Sequence, residues 1–136
     1  MISIKDIIVK EEKTVWIKYI DEFEIQIRFL SRPELSKLVE KSREYIWDKK
    51  DHMKIEKMNS DVFYNKFVDT VIVDWKGLTG ETLKKMISVK VDDPNIEIPF
   101  SKENAIELLK NAYDFDVFIQ NQALDIEKFE EEVKKS

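Results

Sequence analysis

The sequence of 136 residues contains no cysteine, two glycines and one histidine. Without cysteine the chain has no disulfide and no thiolate metal site, which fits a reducing compartment. A transition-metal site needs several His or Cys ligands, so no metal is expected. Two glycines are too few for a phosphate-cradling loop or a dinucleotide fingerprint. The sequence therefore predicts no cofactor.

Residues able to catalyse a reaction are also scarce. His52 lies in a polar, lysine-rich stretch, and no Gly-x-Ser-x-Gly elbow accompanies it. With 28 acidic residues in the chain, carboxylate pairs such as Asp92 and Asp93 arise by chance. The turn that contains this pair lacks the alternating acids and central glycine of a calcium-binding loop. We expect no catalytic residues and a protein that is not an enzyme.

Long apolar runs and a basic surface are missing as well. No stretch approaches the roughly 18 apolar residues of a membrane span, and the first six residues already carry charge, unlike a signal peptide. A formal net charge of -5 argues against phosphate binding, which needs clustered Lys and Arg. We expect a cytoplasmic protein that binds neither membrane nor nucleic acid.

The residues that are present suffice for one folded domain over residues 1–136, because 43% of them are apolar. Two alternating runs, Val15 to Tyr19 and Phe23 to Phe29, flank a short polar turn and predict an antiparallel β-hairpin within residues 1–30. Residues 1–10 are a candidate for another strand. The sheet is thus expected at the N-terminus.

Residues 31–77 predict two helices. Ser31 and Glu34 form a capping pattern, and an apolar stripe continues from there to about Trp47. Residues 48–58 either continue this helix or form an exposed connection. The second helix is expected from about Asn59 to Gly77, on the four-residue recurrence of large apolar side chains: Phe63, Phe67, Val71 and Trp75. The β-branched Val71–Val73 would also suit a short strand, but the recurrence favours a helix.

The last third of the chain predicts an excursion over residues 78–99, either a hairpin or irregular, and then two helices over residues 100–136. Ser101 and Asp114 are the expected N-caps of these two helices. The fold class is therefore α+β: an N-terminal antiparallel β-hairpin or small sheet, followed by a mainly α-helical bundle of about four helices.

Aromatic side chains provide the candidates for protein binding. The chain has 15 of them, and aromatic residues bury large areas with few rotamers to freeze. Trp47 lies at a polar helix end. The final helix carries a stripe that either closes an intramolecular bundle or docks on a partner helix. The predicted protein-binding residues are Trp47, Phe115, Phe118, Ile119, Ile126 and Phe129.

Three segments carry a resemblance to a known family: FLSRPEL at Phe29 to Leu35, IVDWKG at Ile72 to Gly77 and IPFSKEN at Ile98 to Asn104, followed by a helix rich in Asp and Phe. In this order they resemble the tail assembly chaperones of tailed bacteriophages, over most of residues 23–130. Asp74, Trp75 and Gly77 match the family's pattern, and their expected role is to end and pack a helix.

The resemblance implies a non-enzymatic protein that escorts the aggregation-prone tape measure protein of the tail in the host cytoplasm and often self-associates. A protein partner and a homo-oligomer are therefore expected. Two other functions stay open: a structural virion component, such as a head–tail connector or tail accessory protein, and a small regulatory protein-binding module.

Overall fold

The structure, a computed structural model, describes residue 4 and residues 13–125, and it alternates strands with helices along the chain. Its elements are β1 Thr14–Lys18, β2 Glu24–Arg28, α1 Arg32–Ser42, β3 Arg43–Asp48, β4 Met53–Met58, α2 Ser60–Val71, β5 Ile72–Lys76, α3 Gly80–Met86, α4 Lys102–Asn111 and α5 Tyr113–Leu124. The class is α+β as predicted. The predicted arrangement, a hairpin followed by a four-helix bundle, is wrong, because strands recur between the helices.

The N-terminal hairpin itself is confirmed. β1 and β2 pair antiparallel, with Val15 opposite Ile27 and Ile17 opposite Ile25. All four side chains are buried, since opposite residues of an antiparallel pair share one face of the sheet. The proposed strand in residues 1–10 falls, apart from residue 4, outside the described residues.

The second predicted helix, from about Asn59 to Gly77, is correct in its first part and wrong in its last part. α2 ends at Val71, and the chain continues as β5, which pairs antiparallel with β2 to give the sheet order β1-β2-β5. Side chains branched at Cβ lose little freedom in a strand. Pairing β5 with β2 also gives the central strand a neighbour on both edges. The alternative prediction, a short strand at Val71–Val73, is therefore closer to the structure than the helix, because β5 begins at Ile72.

The first predicted helix ends five residues early. Ser42 Oγ donates a hydrogen bond of 2.6 Å to the carbonyl of Leu38, in competition with the helical backbone bonds. Arg43 has extended backbone angles, and β3 begins there. Trp47 is consequently on a strand, and residues 43–58 form a second antiparallel hairpin, here called the arm.

Side-chain caps fix where several helices begin. Ser31 and Ser101 accept backbone hydrogen bonds as predicted, the latter from Asn104 at 3.1 Å. Asp114 is not a cap, because α5 already begins at Tyr113. The 78–99 excursion contains a helix that the sequence analysis missed, α3, whose N-cap Thr79 accepts from the Thr82 amide.

The core lies between the inner face of the three-stranded sheet and the helices α2, α4 and α5. Phe23, which directly precedes β2, and Phe115 from α5 stack with their ring centroids 5.6 Å apart. The largest fully buried side chains of the core include Phe23, Ile25, Ile27, Phe67, Leu78, Leu109, Phe115 and Ile119. Across the described part of the chain, no helix has both the length and the apolar character that crossing a membrane requires.

A hydrogen bond between side chains joins the core helices α2 and α5. The Tyr64 hydroxyl on α2 donates to Asp116 on α5 at 2.7 Å, and Gln120 donates to the same carboxylate at 2.8 Å. Burial raises the pKa of Tyr64 above its ordinary 10.0, and the hydrogen bond to Asp116 and the negative charge of that carboxylate raise it further. Folded Tyr64 thus stays protonated at a pH where unfolded Tyr64 ionises.

The free energy of unfolding is therefore expected to fall as the pH rises above about 10, since the unfolded state then binds fewer protons than the folded state. Tyr64→Phe should lose about 1 kcal/mol at neutral pH and show a smaller alkaline loss. Urea unfolding at neutral pH and at a pH above about 10 measures the free energy of unfolding of the wild type and of Tyr64→Phe. Tyr45→Phe on the exposed arm is the control. An unchanged alkaline loss in Tyr64→Phe would contradict the assignment.

Candidate functional site

An apolar groove of about 470 Å³ opens between β5, α3 and α4. Its volume lies within the range of ordinary ligand pockets. The groove is lined by the apolar residues Trp75, Leu78, Leu83, Ile87, Val89, Ile98 and Leu108 and the polar residues Ser88, Asn104, Glu107 and Asn111. An apolar floor with a few polar groups at the edge is typical of a binding site.

The indole of Trp75 forms a rigid part of this groove. It packs edge-to-face against Phe23 at 5.5 Å and Phe100 at 5.3 Å between ring centroids. Its Nε1 donates a 3.0 Å hydrogen bond to the Ile98 carbonyl. Because the ring and its polar nitrogen have partners within the chain, the indole is held in one position, and at 5% exposure it forms part of the floor of the groove.

Backbone hydrogen bonds hold the α3 side of the groove. The amide of Gly80 donates to the Ile96 carbonyl at 2.9 Å, and the amide of Ile98 donates to the Leu78 carbonyl at 2.8 Å. The segment after α3 therefore folds back beside the start of that helix. This fold-back brings Ile98 next to Leu78, and both of them line the groove.

A side-chain contact joins α3 to the turn of the first hairpin. Asp21 accepts hydrogen bonds from Lys85 Nζ at 2.9 Å and from Thr82 Oγ1 at 3.2 Å. The hydrogen bond from Lys85 lowers the pKa of Asp21, and the bond from Thr82 lowers it further. The contact is exposed and screened, so it contributes mainly to the position of α3.

Polar residues of α4 form the opposite rim. Asn111 donates to the backbone carbonyl of Glu107 at 2.7 Å, which orients its amide along the helix. Glu107 is exposed and is the one charged residue among the described residues that line the groove. Val89, at 41% exposure, offers apolar surface to solvent on the other side.

The arm is the second apolar surface. Its two strands pair over six residues and make their main contacts with each other, so the arm projects from the rest of the protein. Each strand spans about 20 Å at the usual rise per residue. Large apolar side chains are exposed along it: Tyr45, Ile46, Trp47, Met53 and Met58.

The predicted protein-binding residues separate into four groups. Trp47 is 58% exposed on the arm, where a partner can reach it. Phe115 and Ile119 are fully buried in this chain's own core, because the face of α5 that carries them packs inward. Phe118 is half-buried against Tyr19 at 4.8 Å. Ile126 and Phe129 lie outside the described residues.

The groove was missed in the sequence because α3 was missed. Leu83 and Ile87 are four residues apart, the spacing of one helix face, but residues 78–99 were expected to form a hairpin or an irregular excursion. The Thr79 cap with Thr82 three residues later was the signal that could have located this helix. Within the described ranges, no cluster of three His, Cys, Asp or Glu side chains could hold a metal ion.

Comparison with known proteins gives one family. A family model described as YdaY prophage protein matches residues 30–136, which is most of the chain. The comparison with curated proteins gave no match. The comparison with solved structures gave no match either.

Proposed function

This chain belongs to the YdaY prophage protein family, and we propose that it is a non-enzymatic tail assembly chaperone that binds a tail protein of the prophage, the tape measure protein. The single observation that carries the proposal is the apolar groove beside Trp75. The order of the three segments that resemble tail assembly chaperones supports the same function.

The groove suits an amphipathic helix of the partner. Such a helix inserts apolar residues at three-to-four spacing, and the groove presents an apolar floor between α3 and α4. Glu107 at the rim favours a partner helix with a basic residue beside its apolar stripe. A long helical tail protein has many such stripes exposed before assembly, and covering them would prevent its aggregation.

Co-expression with the tape measure protein of the same prophage tests the function. We expect this chain to raise the soluble fraction of that protein and to co-purify with it. Val89→Asp should weaken the complex at least about tenfold, because the new carboxylate would be desolvated against the apolar partner. A failure of the wild-type chain to bind or solubilise the tape measure protein would overturn the function.

The chain offers a matched control for this variant. Val117 on α5 is 39% exposed, close to the 41% of Val89, and it does not line the groove. Val117→Asp should therefore bind the partner like the wild type. Equal losses of affinity in Val89→Asp and Val117→Asp would show that the added charge, and not its position in the groove, weakens the complex.

The exposed arm favours a second candidate function, a structural virion component, because an assembled particle could cover its apolar side chains. Mass spectrometry of purified particles separates the two. A chaperone is left behind when the tail is complete, whereas a head–tail connector or tail accessory protein remains in the particle.

A further inference from the structure

In the described part of the chain, each strand of the arm has one edge without a neighbouring strand. β3 and β4 form a two-stranded sheet, and no third strand from residues 13–125 joins it. A two-stranded hairpin is at most marginally stable in water, and an exposed edge is a ready template for another strand. The arm is therefore incomplete as a sheet, and a strand added to one edge would stabilise it.

The distribution of charge indicates which surface a second copy would approach. Residues 43–58 contain five basic and four acidic residues, so the arm carries a formal charge of +1 and the remainder of the chain carries -6. Two copies therefore repel each other through their bodies. Contact through the arms keeps those acidic bodies apart.

The sequence of β4, MKIEKM, is complementary to itself in one register. If two β4 strands pair antiparallel about a two-fold axis at Ile55, Lys54 lies directly opposite Glu56 of the second copy. The symmetry repeats this pair, so two opposite-charge pairs form on one face of the sheet. The charges of the edge thus select this pairing.

Other registers lack this match. A two-fold axis at Glu56 places that carboxylate opposite its own copy, which is repulsive. On β3, an axis at Ile46 places Glu44 opposite Asp48, again two like charges. An axis at Tyr45 leaves Glu44 opposite the apolar Ile46. Pairing through β4 about Ile55 is the arrangement that brings opposite charges together.

The same register aligns apolar side chains on the other face. Within the arm, Ile46 lies opposite Ile55. Pairing about Ile55 extends this into a row of four isoleucines across four strands, running from Ile46 through Ile55 to the equivalent pair of the second copy. Side chains that are exposed on the single arm thereby gain neighbours, which adds apolar burial to the backbone hydrogen bonds.

We infer that this protein is a homodimer whose arms join along β4 into one four-stranded antiparallel sheet, with the two-fold axis at Ile55. The inference is independent of the groove and of any tail protein. Trp47 lies opposite Lys54 within each arm, on β3, which becomes an outer strand of the dimer sheet.

Charge reversal tests the register on the purified protein alone, by light scattering after gel filtration. The wild type should be a dimer at high micromolar concentration. Glu56→Lys and Lys54→Glu should each weaken the dimer about tenfold or more, because each replaces two opposite-charge pairs by two like-charge pairs. The double variant and an equimolar mixture of the two single variants should both recover dimerisation, although chains that carry Glu56→Lys lose the exposed ion pair of Glu56 with Arg43 inside the arm.

A wild type that stays monomeric, single variants that dimerise normally, or a double variant that stays monomeric would each overturn the inference.

An introduced cysteine gives a second test of the register, because the chain has no cysteine of its own. Ile55→Cys places two thiols directly opposite each other and should form an intermolecular disulfide on mild oxidation. Lys57→Cys, which would lie opposite Met53, should not, and equal crosslinking of both variants would contradict the register.

Discussion

Replacing Phe115 with alanine is expected to lower the free energy of unfolding by about 3–5 kcal/mol, the usual loss for a buried aromatic side chain. Phe115 is fully buried, and its ring contacts those of Phe23 and Tyr19 at 5.6 and 5.1 Å. The truncation removes these contacts and leaves a cavity between α5 and the sheet. Urea denaturation of the purified variant measures the loss.

The same helix supplies the control. Val117 is 39% exposed, so Val117→Ala should change the free energy of unfolding by no more than about 0.5 kcal/mol. This comparison separates a core role for Phe115 from the binding role that its sequence pattern suggested. A stably folded Phe115→Ala variant with an intact denaturation midpoint would show that the core does not depend on this ring.

Substitution of Gly77 is the second change with a large expected effect. Gly77 has a φ of +79°, in the left-handed region, and a Cβ at this position would collide with the backbone carbonyl of Glu22. Gly77→Ala should cost about 2–5 kcal/mol, since strain and steric overlap both act. A thermal or urea unfolding curve of the variant gives the value.

Gly77→Asn distinguishes the two causes. Asparagine tolerates the left-handed backbone better than alanine does, but it has the same Cβ. If backbone strain were the whole cost, the asparagine variant would recover most of the lost stability. The close approach of the Glu22 carbonyl predicts that it recovers little, and near wild-type stability would contradict this account.

Local signals located the elements whose determinants lie within a few residues. The alternation around Ile25 gave the first hairpin, and the hydroxyl caps at Ser31 and Ser101 gave two helix starts. These features depend on neighbours in sequence, so a single sequence contains them. The α+β class followed from them.

The errors occurred where contacts distant in sequence decide the structure. β5 is a strand because β2 lies beside it, although the recurrence ending at Trp75 fits a helix. Tertiary pairing therefore outweighed the local pattern. The groove joins side chains from β5, α3 and α4, and no local pattern brings them together. The exposed Trp47 was identified, but its position on an arm depended on ending α1 at Ser42.

Site-specific photo-crosslinking in the co-expressed complex tests the central claim, that the groove beside Trp75 holds the partner. A photoreactive amino acid in place of Val89, which lines the groove, should crosslink to the tape measure protein. The same amino acid in place of Lys37, an exposed residue of α1 outside the groove, should not. A complex that forms normally but crosslinks through position 37 and not through position 89 would contradict the claim.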